Sequence, residues 1–308
     1  ALIILQRRLA SSVRAIRRSL ENRRDRLSAL RDEVISNPHL LEAARDPGVT
    51  LDDLPEDAPE HERWDAEEQA LRLTLARNLD ELEAEIALLD ELAAEALRVE
   101  EAGPEAKLKE LRQVVEGLDL FRSDEKLLIF TEAKDTLDYL VENLQAWGLT
   151  VNTIHGGMAP AERYAAERAF ADDVQVMVAT EAAGEGINLQ FAHLLTNYDI
   201  PWNPVRLDQR MGRIHRYGQK YEVFIFNLVA TSTREGMVFH ALLRKLEEMR
   251  EGLGEEKVFD VVDQLLEGVP LEHLMRQALA ERLTFAEVRE QVLARLDQTQ
   301  MAHLQEAT

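Results

Sequence analysis

The chain has 308 residues, of which 45% are hydrophobic, and its formal net charge at pH 7 is −22. This length leaves room for two domains and the apolar content can bury a sizeable core, which excludes a disordered chain. The sequence has no cysteine, which excludes disulfides, thiolate catalysis and cysteine-based zinc sites, and its eight histidines lack the spacing of metal ligands. No apolar run reaches the roughly 18 residues of a membrane span, and the initial ALIIL is too short for a signal peptide. We therefore expect no metal site formed by the protein, no membrane contact and a cytoplasmic location.

The first hundred residues predict an antiparallel helical hairpin. Residues 1 to about 36 carry apolar side chains mostly three or four positions apart, and residues 61 to 101 repeat this spacing, so each segment predicts one long helix with a buried stripe. The segment from about 37 to 60 contains four prolines and an acidic run, which is typical of a loop.

The two predicted helices carry opposite charge. Residues 1 to 31 contain nine arginines and two acids, a net +7, whereas Glu and Asp crowd the second helix. The arginines either neutralise the acidic helix or contact nucleic-acid phosphate, and we favour the first because the acidic helix is already present in the hairpin.

From residue 103 to about 252 the pattern changes to alternating strands and helices. Five short runs are rich in β-branched or aromatic residues, and helical periodicity follows Asp135, Pro160 and Pro204. Such alternation predicts an α/β domain with a parallel sheet and helices on both faces. Residues 253 to 308 return to amphipathic runs, around 257–267, 270–281 and 284–299, and we expect this helical C-terminal extension to pack back on the domain. The predicted domains are therefore 1–102, 103–252 and 253–308. The five strand runs are EKLLIFTEA, LTVNTIHGG, VQVMVATEA, AHLLTNYDI and YEVFIFNLVA.

Residues 198–219, YDIPWNPVRLDQRMGRIHRYGQ, concentrate arginines in an otherwise acidic chain. Arg206, Arg210 and Arg213 are spaced by four and three, so we expect them on one face of the helix that begins near Pro204. Guanidinium groups keep their charge and bind phosphate oxygens in pairs, so this array predicts a polyanion site. The alternative is an exposed helix whose arginines form only surface salt bridges.

The predicted strands end in residues suited to phosphate. In open α/β sheets ligands gather at the carboxyl ends of the strands. Hydroxyls, glycines that let a phosphodiester approach the backbone, and free helix N-terminal amides suit contacts that ignore base identity. Taken singly, each group is also compatible with an ordinary turn or a tight strand-to-helix loop. The residues at these ends are Thr131, Lys134, His155, Gly156, Gly157, Thr180, Gly184, Gly186 and Asn188.

The order of these segments carries a family resemblance. IFTEA, IHGGM, ATEAAGEGIN and QRMGRIHR resemble motif IV, the following HG motif, motif V and motif VI of the second RecA-like lobe of superfamily-two helicases. WNP before motif VI and HRxGQ at its end resemble the Swi/Snf-type DNA translocases, which also carry helical protrusions immediately before this lobe. The resemblance implies a RecA-like fold over residues 104 to 250.

The resemblance also implies roles for individual residues. Arg213 and Arg216 look like arginine fingers that reach the γ-phosphate of ATP held by the other lobe. Gly186, Asn188 and Gln209 look like nucleotide-binding positions. The residues that look like DNA-backbone contacts are Thr131, Lys134, His155, Gly156 and Thr180.

Two features near these motifs have a second interpretation. Glu181 and Glu185 add negative charge to motif V, whereas a surface that binds nucleic-acid phosphates is expected to be neutral or positive. Trp202 is either a functional wedge or a buried residue at the strand-to-helix junction, and we favour the buried position.

The parts that hold ATP phosphates and Mg²⁺ in this class are missing from the sequence. No Gly is followed by Lys, so a Gly-rich loop ending in Gly-Lys-Ser/Thr is absent, and no Asp-Glu pair follows an apolar strand run. We therefore predict the second motor lobe of a Swi/Snf-like translocase on duplex DNA, inactive as an ATPase alone. ATP with Mg²⁺ would be held mainly by an upstream RecA-like lobe of the same polypeptide.

Other functions stay open at this point. A strand-separating DNA or RNA helicase would need a pin that splits a duplex, and the sequence shows none clearly. RNA is therefore not excluded as the nucleic acid along which the protein moves. A non-catalytic scaffold would recruit a protein partner through the hairpin and acidic tail and carry a vestigial lobe, but Arg213 and Arg216 argue against it. Because the net charge is −22, we expect weak, salt-sensitive binding of nucleic acid by this chain alone.

Overall fold

A five-stranded parallel sheet forms the centre of the molecule. The computed structural model of the chain describes residues 2–45, 60–181, 189–202, 204–215, 218–231, 233, 236–244, 271–279, 283–284 and 286–294. The strand order is β2-β3-β1-β4-β5, and every neighbouring pair is parallel. All five predicted strands and the parallel sheet are confirmed. The strands are β1 (Leu127–Phe130), β2 (Val151–Ile154), β3 (Val176–Ala179), β4 (Leu194–Asn197) and β5 (Phe224–Asn227).

Helices cover both faces of this sheet, which explains why its inner strands β1 and β3 are apolar throughout. In β1, Leu127 and Ile129 pack into one core cluster, while Leu128 and Phe130 point to the other face and pack into a second. The first cluster includes residues of α6 and α7, and the second includes Phe170 of α8. Such two-sided burial is the usual environment of a parallel sheet. These helices are α6 (Ala106–Gly117), α7 (Lys134–Ala146) and α8 (Pro160–Asp172).

The N-terminal region forms the predicted antiparallel hairpin. Its helices are α1 (Leu2–Ser11), α2 (Val13–Ser36), α3 (His39–Ala43), α4 (Glu60–Arg72) and α5 (Leu79–Glu101). Arg14 near the start of α2 bonds Glu100 near the end of α5, whereas Arg24, further along α2, pairs with Asp90, which lies earlier in α5. The two long helices therefore run in opposite directions, with a leucine-rich cluster between them.

The prediction of one unbroken helix in each arm is wrong. Ser12 is extended (φ −156°, ψ 157°), and its side chain caps α2 by accepting from the Ala15 amide. Asn78 likewise caps α5 by accepting from the Glu81 amide. Serine and asparagine side chains satisfy N-terminal amides better than they continue a helix. Ser12 therefore separates α1 from α2, and Asn78 begins α5 after the non-helical residues 73–78 that follow α4.

These breaks also change which apolar residues are buried. Leu9 in α1 is 59% exposed and Leu75, between α4 and α5, is 88% exposed, although the apolar spacing of three and four positions places both in the predicted buried stripes. A helix that restarts at a cap shifts the phase of its apolar spacing, so the stripe does not continue across the break.

The basic and acidic arms of the hairpin neutralise each other. Each of the nine arginines in residues 1–31 lies within 3.8 Å of a carboxylate oxygen. Seven of the nine arginines pair with a carboxylate on α4 or α5, which supports the first interpretation of the basic helix. The acidic partners on those two helices are Glu67, Glu68, Glu85, Asp90 and Glu100.

The helix between β4 and β5 packs together with the helical segments that follow β5. The helix is α9 (Pro204–Met211), and the segments are residues 236–244, Leu271–Leu279 and residues 286–294. One cluster joins Trp202, Phe239, Met275 and Val292, so these segments pack back as predicted, and Trp202 is a buried junction residue, 2% exposed. The predicted amphipathic run at 257–267 lies outside the described residues, and the domain boundaries stay predictions. In the described part of the chain no helix is long and apolar enough to cross a membrane.

Candidate nucleic-acid and nucleotide interface

The carboxyl ends of four strands meet at one edge of the sheet. The Thr131 amide donates to the Ala179 carbonyl at 3.0 Å, the Thr180 amide to Ile154 at 2.9 Å, and the Tyr198 amide to Phe130 at 2.9 Å. These bonds continue the parallel ladder one residue past each strand. They place the residues after β1, β2, β3 and β4 side by side.

Lys134 and His155 present polar groups at this edge. Lys134 is the exposed first residue of α7, and His155 is partly exposed after β2. Partial burial, and then the nearby positive charges of Lys134 and Arg163, hold the pKa of His155 below its usual value. The imidazole is therefore neutral at neutral pH, consistent with Nδ1 accepting from the Gly157 amide at 3.2 Å.

Thr131 lies in a buried polar cluster, which we call the Asp199 cluster. Thr131 Oγ1 and Ser11 Oγ donate to Asp199 Oδ2 at 2.5 and 2.6 Å, and Lys107 Nζ lies 2.6 Å from Asp199 Oδ1. Burial alone would raise the pKa of Asp199, but Lys107 and the two hydroxyls outweigh it and hold this pKa below its usual value. The cluster joins α1, α6 and the ends of β1 and β4.

Thr180 and Gly156 surround a second carboxylate. Thr180 is fully buried, and its Oγ1 donates to Glu60 Oε2 at 2.8 Å. A Cβ on Gly156 would lie only 2.7 Å from the same oxygen. In this conformation the hydroxyls of Thr131 and Thr180 therefore both donate to carboxylates of the protein. Their predicted role as DNA contacts stays a prediction.

Arg210 is buried rather than directed at a ligand. Its side chain is 0% exposed, its Nε donates to Glu181 Oε1 at 2.9 Å, and its Nη1 donates to the Asp199 carbonyl at 2.7 Å. The guanidinium also lies 5.2 Å from the centre of the Phe130 ring. The negative charge of Glu181, which is unexpected for a nucleic-acid surface, is used here to pair with Arg210.

Arg210 and Arg213 of motif VI therefore do not share one helix face. Because α9 ends at Met211, Arg213 lies in the turn that follows the helix, and the predicted common face with Arg210 is wrong. Arg213 is partly exposed, and its Nε donates to the Gln209 carbonyl at 3.1 Å, while Gln209 itself is exposed. The other predicted nucleotide residues, Gly186, Asn188 and Arg216, lie outside the described residues.

The sequence interpretation missed two acids that organise this edge. Asp199 is the one acid in the strand run AHLLTNYDI, and its place at the carboxyl end of that run could have identified it. Glu60 stands in an acidic stretch where nothing in the sequence distinguishes it from its neighbours. Only the fold brings it against Thr180, 120 positions away.

Comparisons with known proteins agree with the motif assignment. Residues 106–218 match the model of the helicase conserved C-terminal domain. The chain is 35% identical over 189 residues to the uncharacterized ATP-dependent helicase YqhH of Bacillus subtilis, covering 61% of this chain and 33% of that protein. It is 32% identical over 128 residues to the RNA polymerase-associated protein RapA of Vibrio cholerae, covering 41% of this chain and 13% of RapA. The chain thus spans a third or less of the length of these relatives.

A solved structure, the C-terminal part of the Fun30 ATPase domain, is also similar. It is 21% identical and covers 80% of each chain, with a TM-score of 0.39. Because this TM-score is low, the fold assignment depends on the order and direction of the strands themselves.

Proposed function

We propose that the chain supplies the second motor lobe of a Swi/Snf-like, ATP-dependent translocase on duplex DNA, because its residues 106–218 match the model of the helicase conserved C-terminal domain. An upstream lobe of the same polypeptide would hold the nucleotide. Cycles of lobe closure and opening, driven by ATP hydrolysis, would then move the protein along DNA without separating its strands.

The anchoring of Arg210 is the observation that carries this proposal. Arginine forks that reach phosphate across a lobe interface need a rigid base, because a misplaced group loses much of its effect. Arg210 bonds Glu181, Asn197 and the Asp199 carbonyl, which ties motif VI to the ends of β3 and β4. The turn that carries Arg213 follows directly, so that guanidinium is held at the surface beside a fixed helix end.

The nucleotide contacts of this lobe would centre on the turn after α9. Arg213 and Arg216 would stabilise the charge that develops on the transferred phosphoryl group, and Gly186, Asn188 and Gln209 would line the nucleotide. The partial exposure of Arg213 and the exposure of Gln209 fit this role. ATP with Mg²⁺, when bound between the lobes, supplies the phosphoanhydride bond and the cation that neutralises its oxygens.

The contacts with the nucleic-acid backbone would lie along the carboxyl ends of the strands. Lys134 and His155 offer an ammonium and a neutral imidazole. Gly156 offers its backbone amide, and Thr131 and Thr180 would offer their hydroxyls once these leave Asp199 and Glu60. Donors of this kind bind phosphodiester oxygens without reading bases, as a motor that steps along any sequence requires. These contacts apply equally to DNA and RNA backbones, and the Swi/Snf resemblance favours duplex DNA.

The hairpin would serve as a surface for a protein partner. Its helix α5 exposes acids beside the apolar residues Leu88, Leu92 and Val99. The RapA relatives of this chain are named as RNA polymerase-associated proteins. Apolar residues ringed by charge are typical of protein interfaces.

The test is ATP turnover by the natural polypeptide that contains this chain, measured with and without duplex DNA. We expect DNA to stimulate turnover, and Arg213→Ala to reduce it by roughly 10³-fold or more, as for other arginine fingers. The matched control is Arg122→Ala, which removes an exposed arginine before β1, at the opposite edge of the sheet. Arg122→Ala should keep wild-type turnover.

Other outcomes would select the alternatives. Turnover by this chain alone would show that the predicted dependence on an upstream lobe is wrong. Strand separation of a forked duplex would favour a helicase, and no turnover by the natural polypeptide would favour a scaffold.

A further inference from the structure

The carboxylate of Glu60 occupies the strand ends that we assign to the DNA backbone. Glu60 is the first residue of α4 and is 6% exposed. Its Oε2 accepts from Thr180 Oγ1 at 2.8 Å, and the backbone of Gly156 lies against the same carboxylate and acts to lower its pKa. An acidic side chain of the hairpin thus lies between the ends of β2 and β3, 120 residues along the chain from Thr180.

The groups that hold Glu60 are those that bind a phosphate oxygen. A backbone amide and a threonine hydroxyl are donors that proteins use on phosphodiesters without regard to sequence. A carboxylate is an anion with only acceptor oxygens, so it satisfies the same donors. Gly156 is required for this approach, because a Cβ there would lie 2.7 Å from Glu60 Oε2.

The ionised carboxylate of Glu60 is destabilised in this position. Burial raises its pKa above the usual value, and the neighbouring carboxylate of Glu181 acts in the same direction. The Thr180 hydroxyl, Arg63 and the Gly156 amide act against this rise without cancelling it. The ionised group is therefore stabilised less here than in water, which favours its replacement by an anion that brings further contacts.

We propose that Glu60 occupies the position of a backbone phosphate and that α4 thereby competes with duplex DNA for the lobe. This inference rests on the proposed function, in which Gly156 and Thr180 contact the DNA backbone. DNA binds the form of the lobe in which Glu60 has left the strand ends. The apparent affinity is lowered by the fraction of molecules in which Glu60 stays in place.

The experiment compares substitutions at Glu60 with the same substitutions at Glu62. Glu62 lies two residues further on α4 and is exposed, so its substitution makes the same change in net charge without emptying the site. Affinity for a labelled duplex DNA is measured with the natural polypeptide by fluorescence anisotropy at low ionic strength. We expect Glu60→Ala to tighten binding by about fivefold or more, the lower end of ordinary coupling, and Glu62→Ala to change it far less.

Two further variants separate the charge of Glu60 from its size and locate the binding site. Glu60→Gln keeps the shape of the side chain and removes its charge, so it decides the question if Glu60→Ala fails to fold, with Glu62→Gln as its control. Adding Thr180→Val to Glu60→Ala removes a donor from the emptied site. This double variant should lose most of the gain in affinity.

The outcomes separate this inference from the proposed function. Equal affinities of the Glu60 and Glu62 variants would overturn the competition by α4 and leave the translocase proposal intact. A gain that persists in the Thr180→Val background would also overturn the inference. No binding of duplex DNA by any of the proteins would overturn both.

Discussion

Individual arginines in motif VI have different roles, although the sequence presents them as one array. Arg210 is buried and bonds Glu181, whereas Arg213, three residues later, is partly exposed beyond the end of α9. The difference follows from the short helix, because residues after Met211 no longer repeat the helical spacing. A buried arginine is tolerated only when it is paired and hydrogen-bonded, and Arg210 meets both conditions.

Arg210→Ala should lower the free energy of unfolding by about 3–5 kcal/mol, because it leaves the carboxylate of Glu181 in a largely buried site without its partner. Urea denaturation of this chain measures the loss. Adding Glu181→Gln removes the unpaired charge and should recover part of the stability. If Arg210→Ala costs less than about 1 kcal/mol, the value of an ordinary hydrogen bond, the buried pair does not anchor motif VI.

At the scale of single elements, capping residues decide where the hairpin helices begin. Ser12 and Asn78 each accept a bond from a backbone amide three residues later. Arg23 of α2 donates to the Leu71 and Leu73 carbonyls at 2.7 and 2.8 Å, which satisfies acceptors that the end of α4 leaves open. The hairpin arms are therefore divided by local hydrogen bonds, although the apolar spacing continues along the sequence.

Asn78→Ala should reduce stability by about 1 kcal/mol, the usual effect of losing an N-cap. Asn78 is exposed, so the substitution opens no cavity. The midpoint of urea denaturation measures the change. Asn78→Asp keeps an acceptor at the same position and should retain most of the stability. An equal loss in both variants would show that the cap does not stabilise α5.

At the scale of the whole molecule, the Asp199 cluster joins the hairpin to the sheet. Asp199 follows β4, Ser11 ends α1 and Lys107 belongs to α6, and all three meet within hydrogen-bond distance. Arg7 of α1 also lies 2.9 Å from Glu132 after β1. The hairpin is thus attached to the same sheet edge that carries the proposed DNA contacts.

This junction predicts a dependence of stability on pH. Because the pKa of Asp199 is lowered in the folded protein, its contribution to stability is present above about pH 4, where the unfolded carboxyl ionises, and is lost as the pH falls through the lowered folded value. Asp199→Asn should reduce stability at neutral pH and should make the remaining stability fall less steeply as the pH is lowered. Thermal melts across this range test it, with Asp138→Asn, an exposed site on α7, as the control. An unchanged acid limb in Asp199→Asn would contradict the prediction.

The fold could be predicted from the sequence to a large extent because its signals are local. Runs such as KLLIF and VQVMV specify strands buried on both faces, and their alternation with helical segments leads to a parallel sheet. The order of the motifs likewise led to the helicase family. The sequence did not reveal the helix breaks at Ser12 and at residues 73–78, because apolar periodicity continues across both.

The candidate site could be predicted only in part, since it depends on which side chains the fold brings together. The residue types at the strand ends, the hydroxyls, glycines and arginines, are determined by the sequence alone. Only the tertiary structure decided that Arg210 points inward to Glu181 and that Glu60 reaches Thr180. Local patterns set which elements form, whereas burial and pairing between distant residues depend on the packing of the whole chain, which no short segment encodes.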